Sequence, residues 1–162
     1  MALKYVKGDL IQMFKENQFD YLLHQCNCFS SGAGFAGALF NEYPDAKPLS
    51  QYSYAHVRFG TNNYKLTPNG MIVNMFSQYN PGGCTDTGVD SFPFRMTALN
   101  QCLLKIHYLE GPLKIGIPLI ASGLAADKEL KGNMTDLEYF KEVIASTVKR
   151  WLKHHNVTVV YL

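Results

Sequence analysis

The chain has 162 residues, of which 47% are hydrophobic and 17% are charged, and its formal net charge is +2. This length suits a single domain, 1–162, that buries roughly two-thirds of the surface its unfolded chain exposes. The small charge gives no support to a nucleic-acid or membrane-surface binder, and no apolar run approaches the ~20 residues of a membrane span. Four cysteines without disulfide-framework spacing and a start without the apolar core of a signal peptide predict a cytoplasmic protein.

The first 43 residues predict two strands and a helix. Residues 3–6 and 21–27 are short apolar runs typical of strands, and a brief helical or looped excursion separates them. Apolar residues then recur at helical spacing, which predicts a helix over 35–43. Pro44 ends this helix, because the residue before a proline avoids the α region.

The loop SSGAG joins the second strand to this helix. Gly32 and Gly34 allow a tight turn and let a ligand approach the backbone closely. Ser30 and Ser31 are small and polar, and either one caps the helix or hydrogen-bonds a ligand. Such a junction offers backbone N–H groups and the positive end of a helix dipole to an anion, most naturally a phosphate. Taken alone, the stretch fits a plain strand-to-helix turn equally well.

The middle of the chain predicts edge strands, a buried strand and a long loop. Residues 45–69 are mixed in character, with short edge strands predicted at 58–59 and 64–66. The continuous apolar run 71–76 is typical of a buried strand. The polar stretch 77–91 that follows is a long loop, of the kind that is usually functional or mobile.

The last third predicts two helices and two strands. A helix capped by Ser91 runs through the apolar residues of 96–106. The apolar strand 114–120 leads directly into the small-residue loop ASGLAA. A capping-box sequence beginning at Thr135 opens the last helix, and a β-branched strand over 157–162 closes the chain.

Apolar strands that alternate with amphipathic helices predict an α/β fold, with a mostly parallel sheet covered on both faces. In such sheets ligands bind outside the carboxyl ends of the strands. Three loops of small or polar residues, SSGAG, SQYNPGG and ASGLAA, leave strand ends here. Their convergence on one cleft would explain their composition, and it favours the phosphate interpretation of the first loop.

Four spaced motifs, GDL, HQCNC, GAGFA and PLIASGLAA, make the chain resemble a macro domain. It is most similar to the branch that holds the ADP-ribose-1″-phosphate phosphatase and the terminal ADP-ribose protein glycohydrolase. The likeness runs from YVKGDL to VTVVYL, which is nearly the whole chain. It implies a three-layer α/β/α fold with a mixed, mostly parallel central sheet.

The resemblance also implies a ligand, ADP-ribose or ADP-ribose 1″-phosphate. It assigns recognition of the adenine amino group to Asp9, the lining of the adenine pocket to Leu10, and a position near the distal ribose to Asn27. Backbone N–H groups of two glycine loops can hold a diphosphate without Lys or Arg. The resemblance implies a first phosphate loop made of Gly32, Ala33, Gly34, Phe35 and Ala36. It implies a second phosphate loop made of Ser122, Gly123, Leu124, Ala125 and Ala126. The strand end beside the distal ribose is Phe76, Ser77 and Gln78.

Two departures from the family bear on the chemistry. Glycohydrolase relatives carry an aspartate directly after the Gly-Leu of the second loop, where this chain has Ala125. They also use a lysine near the end of the central strand, whereas no lysine lies between Lys65 and Lys105 here. His24 matches the histidine of the phosphatase-type strand. If the second loop bends back, Asp127 supplies a carboxylate to the site. Otherwise Asp127 is a solvated loop residue.

The leading hypothesis is hydrolysis of ADP-ribose 1″-phosphate to ADP-ribose and phosphate, without metal or cofactor. His24 would be the general acid or base, with Asp127 as its partner. Two alternatives stay open: a module that captures ADP-ribose or another NAD-derived nucleotide without turnover, and a hydrolase of mono-ADP-ribosyl esters with an ADP-ribosylated protein as partner. His24 is otherwise a strand histidine satisfied by a backbone carbonyl.

Other reactive side chains receive structural interpretations. A metal site is suggested by the alternation of His24, Cys26 and Cys28 along one strand. Residues four apart on a strand are separated by ~13 Å, so one zinc ion cannot bind all three. We therefore predict no metal. Cys28 is interpreted as a buried thiol rather than a nucleophile. We expect Asp86 and Asp90 in the long loop to be solvated; the alternative is that one of them closes over the distal ribose.

The basic stretch KRWLKHH near the end is interpreted as the solvated face and last turn of a helix. Trp151 falls on the apolar face of this helix, which predicts a packing role. We therefore expect neither a nucleic-acid nor a membrane partner.

Overall fold

Six strands form one sheet in the computed structural model, which describes residues 3–49 and 55–162. The strands are β1 (Lys4–Lys7), β2 (Tyr21–Asn27), β3 (Asn62–Thr67), β4 (Gly70–Gln78), β5 (Lys114–Ile117) and β6 (Asn156–Tyr161). Their order is β1-β6-β5-β2-β4-β3. All neighbours pair in parallel except β3, which lies at one edge and is antiparallel to β4.

Helices cover both faces of this sheet. They are α1 (Leu10–Lys15), α2 (Gly34–Glu42), α3 (Ala55–Arg58), α4 (Phe92–His107), α5 (Lys128–Lys131), α6 (Asp136–Tyr139) and α7 (Ala145–Leu152). A 3-10 turn, Pro44–Ala46, follows α2, and a π-helical segment, Phe140–Ile144, joins α6 to α7. The predicted helix over 35–43 and the predicted last helix are both confirmed.

Alternate residues of the central strands face two different core layers, as the period of two in a strand requires. Leu23 and Val73 face a layer built with α4 and α7. Leu22 and Ile72 face a second layer built with α1 and α2. Because both faces are covered, the central strands carry apolar residues at consecutive positions, such as Leu22 and Leu23 in β2. The predicted three-layer α/β/α architecture with a mixed, mostly parallel sheet is confirmed.

Two strand predictions need correction. The predicted edge strand at 58–59 is wrong: Arg58 ends α3, and its guanidinium donates to the Cys28 carbonyl at 3.2 Å. The strand predicted over 114–120 stops at Ile117, because Pro118 has no N–H for the ladder. Part of the stretch predicted to be mixed, residues 50–54, lies outside the described residues.

Two helices begin where the sequence patterns predict. The capping box at Thr135 is confirmed: its hydroxyl accepts from the Glu138 N–H at 3.1 Å, and its own N–H donates to the Glu138 carboxylate at 3.2 Å. Ser91 lies at the predicted N-cap position of α4, but its side chain makes no cap hydrogen bond. Trp151 packs against the core beside α4, and its indole N–H donates to Asn100 at 2.6 Å. Within 3–49 and 55–162, no helix is long and apolar enough to cross a membrane.

Candidate functional site

A cleft of about 1190 Å³ opens at the carboxyl edge of the sheet. This exceeds the roughly 300–1,000 Å³ that small-molecule sites usually occupy. Residues from all three loops predicted to converge there lie on its walls. The carboxyl ends of β2, β4 and β6 complete the walls, so the cleft lies where a parallel α/β sheet binds its ligands.

The beginning of α2 forms one wall of the cleft. Gly34, Phe35 and Ala36 line it, and the N-cap residue, Ala33, makes no side-chain cap hydrogen bond. The first N–H groups of a helix have no partner within that helix, and the helix dipole adds positive potential there. Gly34 has a φ of +56°, which a side chain would disfavour. This wall can therefore hold an anion with backbone donors alone.

Asn27 organises the first loop from inside. Its amide nitrogen donates to the Ser31 carbonyl at 2.8 Å and to the Ser31 hydroxyl at 3.1 Å, while its oxygen accepts from the Ser31 N–H at 3.3 Å. The Ser30 hydroxyl accepts from Arg58 at 3.2 Å. Neither serine caps α2, so of the two predicted uses the capping role is wrong. Gly32 packs on α2, where a Cβ would lie 3.3 Å from the Gly37 Cα.

Hydrogen bonds at its first two residues fix the second loop, ASGLAA. The Ala121 N–H, on a residue with a φ of +59°, donates to the Gln25 side chain at 2.9 Å. Lys131 donates to the Ser122 carbonyl at 2.7 Å. Within the described part of the chain, the N–H groups of residues 123–125 meet no acceptor. Since these residues line the cleft, they are a second set of unused backbone donors beside it.

The long loop after β4 contains a buried ion pair rather than a solvated carboxylate. Asp90 and Arg95 lie 3.0 Å apart with only 5% of each side chain exposed. Asp90 also accepts from the backbone N–H groups of Tyr79, at 2.9 Å, and Asn80, at 3.0 Å. The expectation that Asp90 is solvated is therefore wrong, because the loop folds its own N–H groups around the carboxylate.

Arg95 also joins the long loop to the second loop. It donates to the Gly82 carbonyl at 2.8 Å and to the Ala125 carbonyl at 3.2 Å, and both of these residues line the cleft. The two loops touch: a Cβ on Gly83 would lie 3.1 Å from the Leu124 carbonyl oxygen. The two loops thus form one continuous wall, with Arg95 behind it.

His24 lies in β2, lines the cleft and is only 1% exposed. Its Nε2 is 2.5 Å from the Asn74 side-chain oxygen, and the rings of Phe35 and Phe40 pack against it. Burial lowers the pKa of His24 to about 4, against the opposing effect of the Asn74 hydrogen bond. The imidazole is therefore neutral at pH 7, so it is free to accept a proton but is not an imidazolium that could act as a general acid.

Asp127, the predicted partner of His24, is not among the residues that line the cleft. It lies at the N-cap position of α5, and its N–H donates to the Tyr139 hydroxyl at 3.3 Å. The cleft walls do carry other carboxylates. Glu42 pairs with Lys15 at 3.1 Å, and Asp136 pairs with Lys131. The structure thus does not bring the two predicted catalytic residues to one wall.

Most of the residues assigned to ligand binding line the cleft. Those that line it are Asp9, Leu10, Asn27, Ala33, Gly34, Phe35, Ala36, Gln78, Gly123, Leu124 and Ala125. Those that do not line it are Gly32, which is exposed elsewhere on the first loop, and the buried residues Phe76, Ser77, Ser122 and Ala126. The buried residues support the walls: Ser77 and Ser122 are fully buried, and Phe76 lies under the Arg58 guanidinium.

Three further residues that line the cleft, Thr135, Asp136 and Tyr161, were not predicted from the sequence. The rule that ligands bind at strand carboxyl ends would have found Tyr161, because β6 is parallel to β5 and ends there. No sequence signal placed the start of α6 beside the cleft.

The thiols next to His24 are poorly suited to nucleophilic chemistry. Burial raises the pKa of Cys26 far above its ordinary value and that of Cys28 to about 12, so both are protonated thiols at neutral pH. Among the described residues, no three His, Cys, Asp or Glu side chains cluster as metal ligands.

Comparison with known proteins gives relatives across the whole chain. No protein-family model matches. The chain is 27% identical over 167 residues to an uncharacterized 17.5 kDa protein of the tk-vs intergenic region of Enterobacteria phage T4, and the match covers 92% of this chain and 94% of that protein.

Solved structures give the fold. A Bacteroides thetaiotaomicron protein of unknown function matches with a TM-score of 0.69 at 22% identity, over 100% of this chain and 99% of that one. The macrodomain of Thermus aquaticus DarG matches with a TM-score of 0.62 at 16% identity, over 99% and 97%. Thermosipho africanus DarTG, solved in complex with ADP-ribose, matches with a TM-score of 0.67 at 14% identity, over 99% of this chain and 42% of that one. This chain therefore has the macrodomain fold.

Proposed function

We propose that the cleft binds ADP-ribose or an ADP-ribose derivative. The observation that carries this proposal is the pair of backbone donor sets, at the start of α2 and at residues 123–125, on the walls of one cleft. A diphosphate between them needs no Lys or Arg, because uncapped backbone N–H groups supply the hydrogen bonds. The fold is shared with Thermosipho africanus DarTG, which was solved with ADP-ribose.

Asp9 is the proposed partner of the adenine amino group. Its Oδ1 accepts from the Gln12 N–H at 3.2 Å and so caps α1, while the residue lines the cleft. A carboxylate has two oxygens, and the second can accept from an amino group. Leu10, buried beside it, offers an apolar surface to the base.

The proposed reaction is hydrolysis of ADP-ribose 1″-phosphate. Water attacks phosphorus while His24 accepts a proton from it; the bond between phosphorus and the 1″ oxygen breaks, and that oxygen leaves with the electron pair and is protonated by solvent. The neutral, cleft-lining imidazole supports this base role. Asp127 does not line the cleft. It can act as the proposed partner of His24 only if the chain before α5 moves.

Capture without turnover is the second candidate. Two of the carboxylates on the cleft walls, Glu42 and Asp136, are held in ion pairs, and Asp9 caps a helix. A histidine without a carboxylate partner is a weak base for hydrolysis. This arrangement favours a module that binds the nucleotide and releases it unchanged.

Titration calorimetry with ADP-ribose, followed by a phosphate-release assay with ADP-ribose 1″-phosphate, tests both candidates. We expect saturable binding of ADP-ribose. Phosphate release that disappears in His24→Gln, while binding persists, supports the phosphatase. Binding without release in the wild type supports capture. Absence of ADP-ribose binding would overturn the proposal as a whole.

Asp9→Ser separates adenine recognition from helix capping. Serine caps a helix as well as aspartate does, but it is too short to reach the adenine group. We expect the Kd for ADP-ribose to rise by about 10-fold to 100-fold, as loss of a hydrogen bond to a charged group predicts. Asp86→Ser, at an exposed position away from the cleft, is the matched control. Equal Kd values for the two variants would remove Asp9 from the adenine site.

A further inference from the structure

Asn74 lies in the middle of β4 and is directly opposite His24 in the register of the sheet. It is fully buried, and its amide nitrogen donates to the Ala46 carbonyl at 2.9 Å and to the Asn63 side-chain oxygen at 3.1 Å. A backbone carbonyl can only accept, so the amide nitrogen of Asn74 must face Ala46. The Asn74 oxygen is therefore the atom that faces His24.

This orientation decides which nitrogen of His24 carries the proton. The Asn74 oxygen has no hydrogen to donate, and it lies 2.5 Å from the His24 Nε2. Two lone pairs at that distance would repel, so Nε2 must be the N–H donor. In the neutral imidazole Nδ1 is then the acceptor.

The Nδ1 atom of His24 is buried and has no hydrogen-bond partner within the described part of the chain. A buried acceptor left unpaired is costly, and such atoms are uncommon in native proteins. Protonation would not resolve this, because the imidazole packs against Phe35 and Phe40 and burial disfavours the charged ring. A donor supplied through the cleft would resolve it.

We propose that Asn74 is a positioning residue that holds His24 in the Nε2–H tautomer, so that Nδ1 accepts a hydrogen bond from an O–H group bound in the cleft. The O–H belongs to a hydroxyl of the ligand or to the attacking water. An acceptor-only phosphate oxygen does not satisfy Nδ1, so the terminal phosphate of a ligand lies beyond this O–H group and not in direct contact with Nδ1. The identity of the bound group rests on the proposed function, whereas the tautomer does not.

Nitrogen-15 NMR of the imidazole rings reads the tautomer directly, with His24→Gln used to assign the signals. In the wild type we expect His24 to show a protonated Nε2 and an unprotonated Nδ1. Asn63→Ala is the matched control, because it removes one acceptor for Asn74 and leaves the Ala46 carbonyl in place. It should keep the wild-type pattern. Asn74→Leu should lose the fixed tautomer and raise the Kd for ADP-ribose about tenfold, the effect of one lost hydrogen bond.

Ligand addition tests the contact at Nδ1. A change in the His24 Nδ1 signal with ADP-ribose assigns the donor to a ligand hydroxyl, and a change seen only with ADP-ribose 1″-phosphate assigns it to water. A wild-type spectrum with an unprotonated Nε2 would overturn the tautomer, even if Asn74→Leu failed to fold. Calorimetric binding of both ligands with an unchanged Nδ1 signal would overturn the contact. No binding at all would overturn the contact and the proposed function together, while the spectrum would still decide the tautomer.

Discussion

Arg95→Met is expected to lower the free energy of unfolding by about 3–5 kcal/mol, as measured by urea denaturation. The substitution leaves the Asp90 carboxylate buried with no cation beside it. It also removes the guanidinium donor from the Gly82 and Ala125 carbonyls, although the Gly82 carbonyl still accepts from the Gln78 side chain at 2.9 Å. Both carbonyls belong to cleft-lining residues, so we expect ADP-ribose to bind more weakly as well.

The exposed ion pair between Lys15 and Glu42 supplies the control for this experiment. Their side chains are 44% and 50% exposed, and pairs of this kind contribute about 1 kcal/mol or less. Lys15→Met should therefore change stability far less than Arg95→Met. A double variant of Arg95→Met with Asp90→Asn should lose less than the sum of the single losses, because the unpaired charge is gone. Equal losses for Lys15→Met and Arg95→Met would contradict the structural role of the buried pair.

Acid is expected to weaken the fold by about 3 kcal/mol through His24 alone. Burial lowers the pKa of His24 in the folded protein to about 4, whereas the unfolded imidazole has its ordinary value of 6.5. Between these values the unfolded chain binds the extra proton, so stability falls as the pH drops below about 6.5. The loss levels off near pH 4, where the folded imidazole is also protonated.

Urea denaturation of wild type and His24→Gln at a series of pH values isolates this effect. Carboxylates titrate in both proteins, so the difference between the two stability curves reports His24. The wild type should lose about 3 kcal/mol more than the variant between pH 7 and pH 4. Parallel curves over that range would show that the folded protein does not depress the pKa of His24.

The strands and the loops that follow them were predictable because their signals are local. The run over 21–27 matches β2 residue for residue, since a strand buried on both faces begins with consecutive apolar residues and here ends just before a glycine loop. The capping box at Thr135 depends on two hydrogen bonds within one turn, so the four residues 135–138 are enough to predict it. The convergence of loops at one cleft followed from the strand direction alone.

The features that sequence reasoning missed depend on contacts between distant residues. Asn74 meets His24 from 50 positions away, and no pattern in either strand indicates that pairing. Asp90 lies in a stretch rich in polar and small residues, which favours exposure. Its burial depends on Arg95 one turn into the next helix and on N–H groups that the loop folds around it. Contacts between residues that are distant in sequence produce no periodic pattern in that sequence.

The unused N–H groups at the start of α2 and at residues 123–125 belong to the main chain, and almost every amino acid supplies the same group. Substitution of most side chains in the two loops therefore keeps these donors as long as the turn geometry survives. A position that shapes the turn, such as Gly34 with its positive φ, accepts fewer residue types. This freedom fits the 14–22% identity at which proteins of the same architecture superpose over nearly the entire chain.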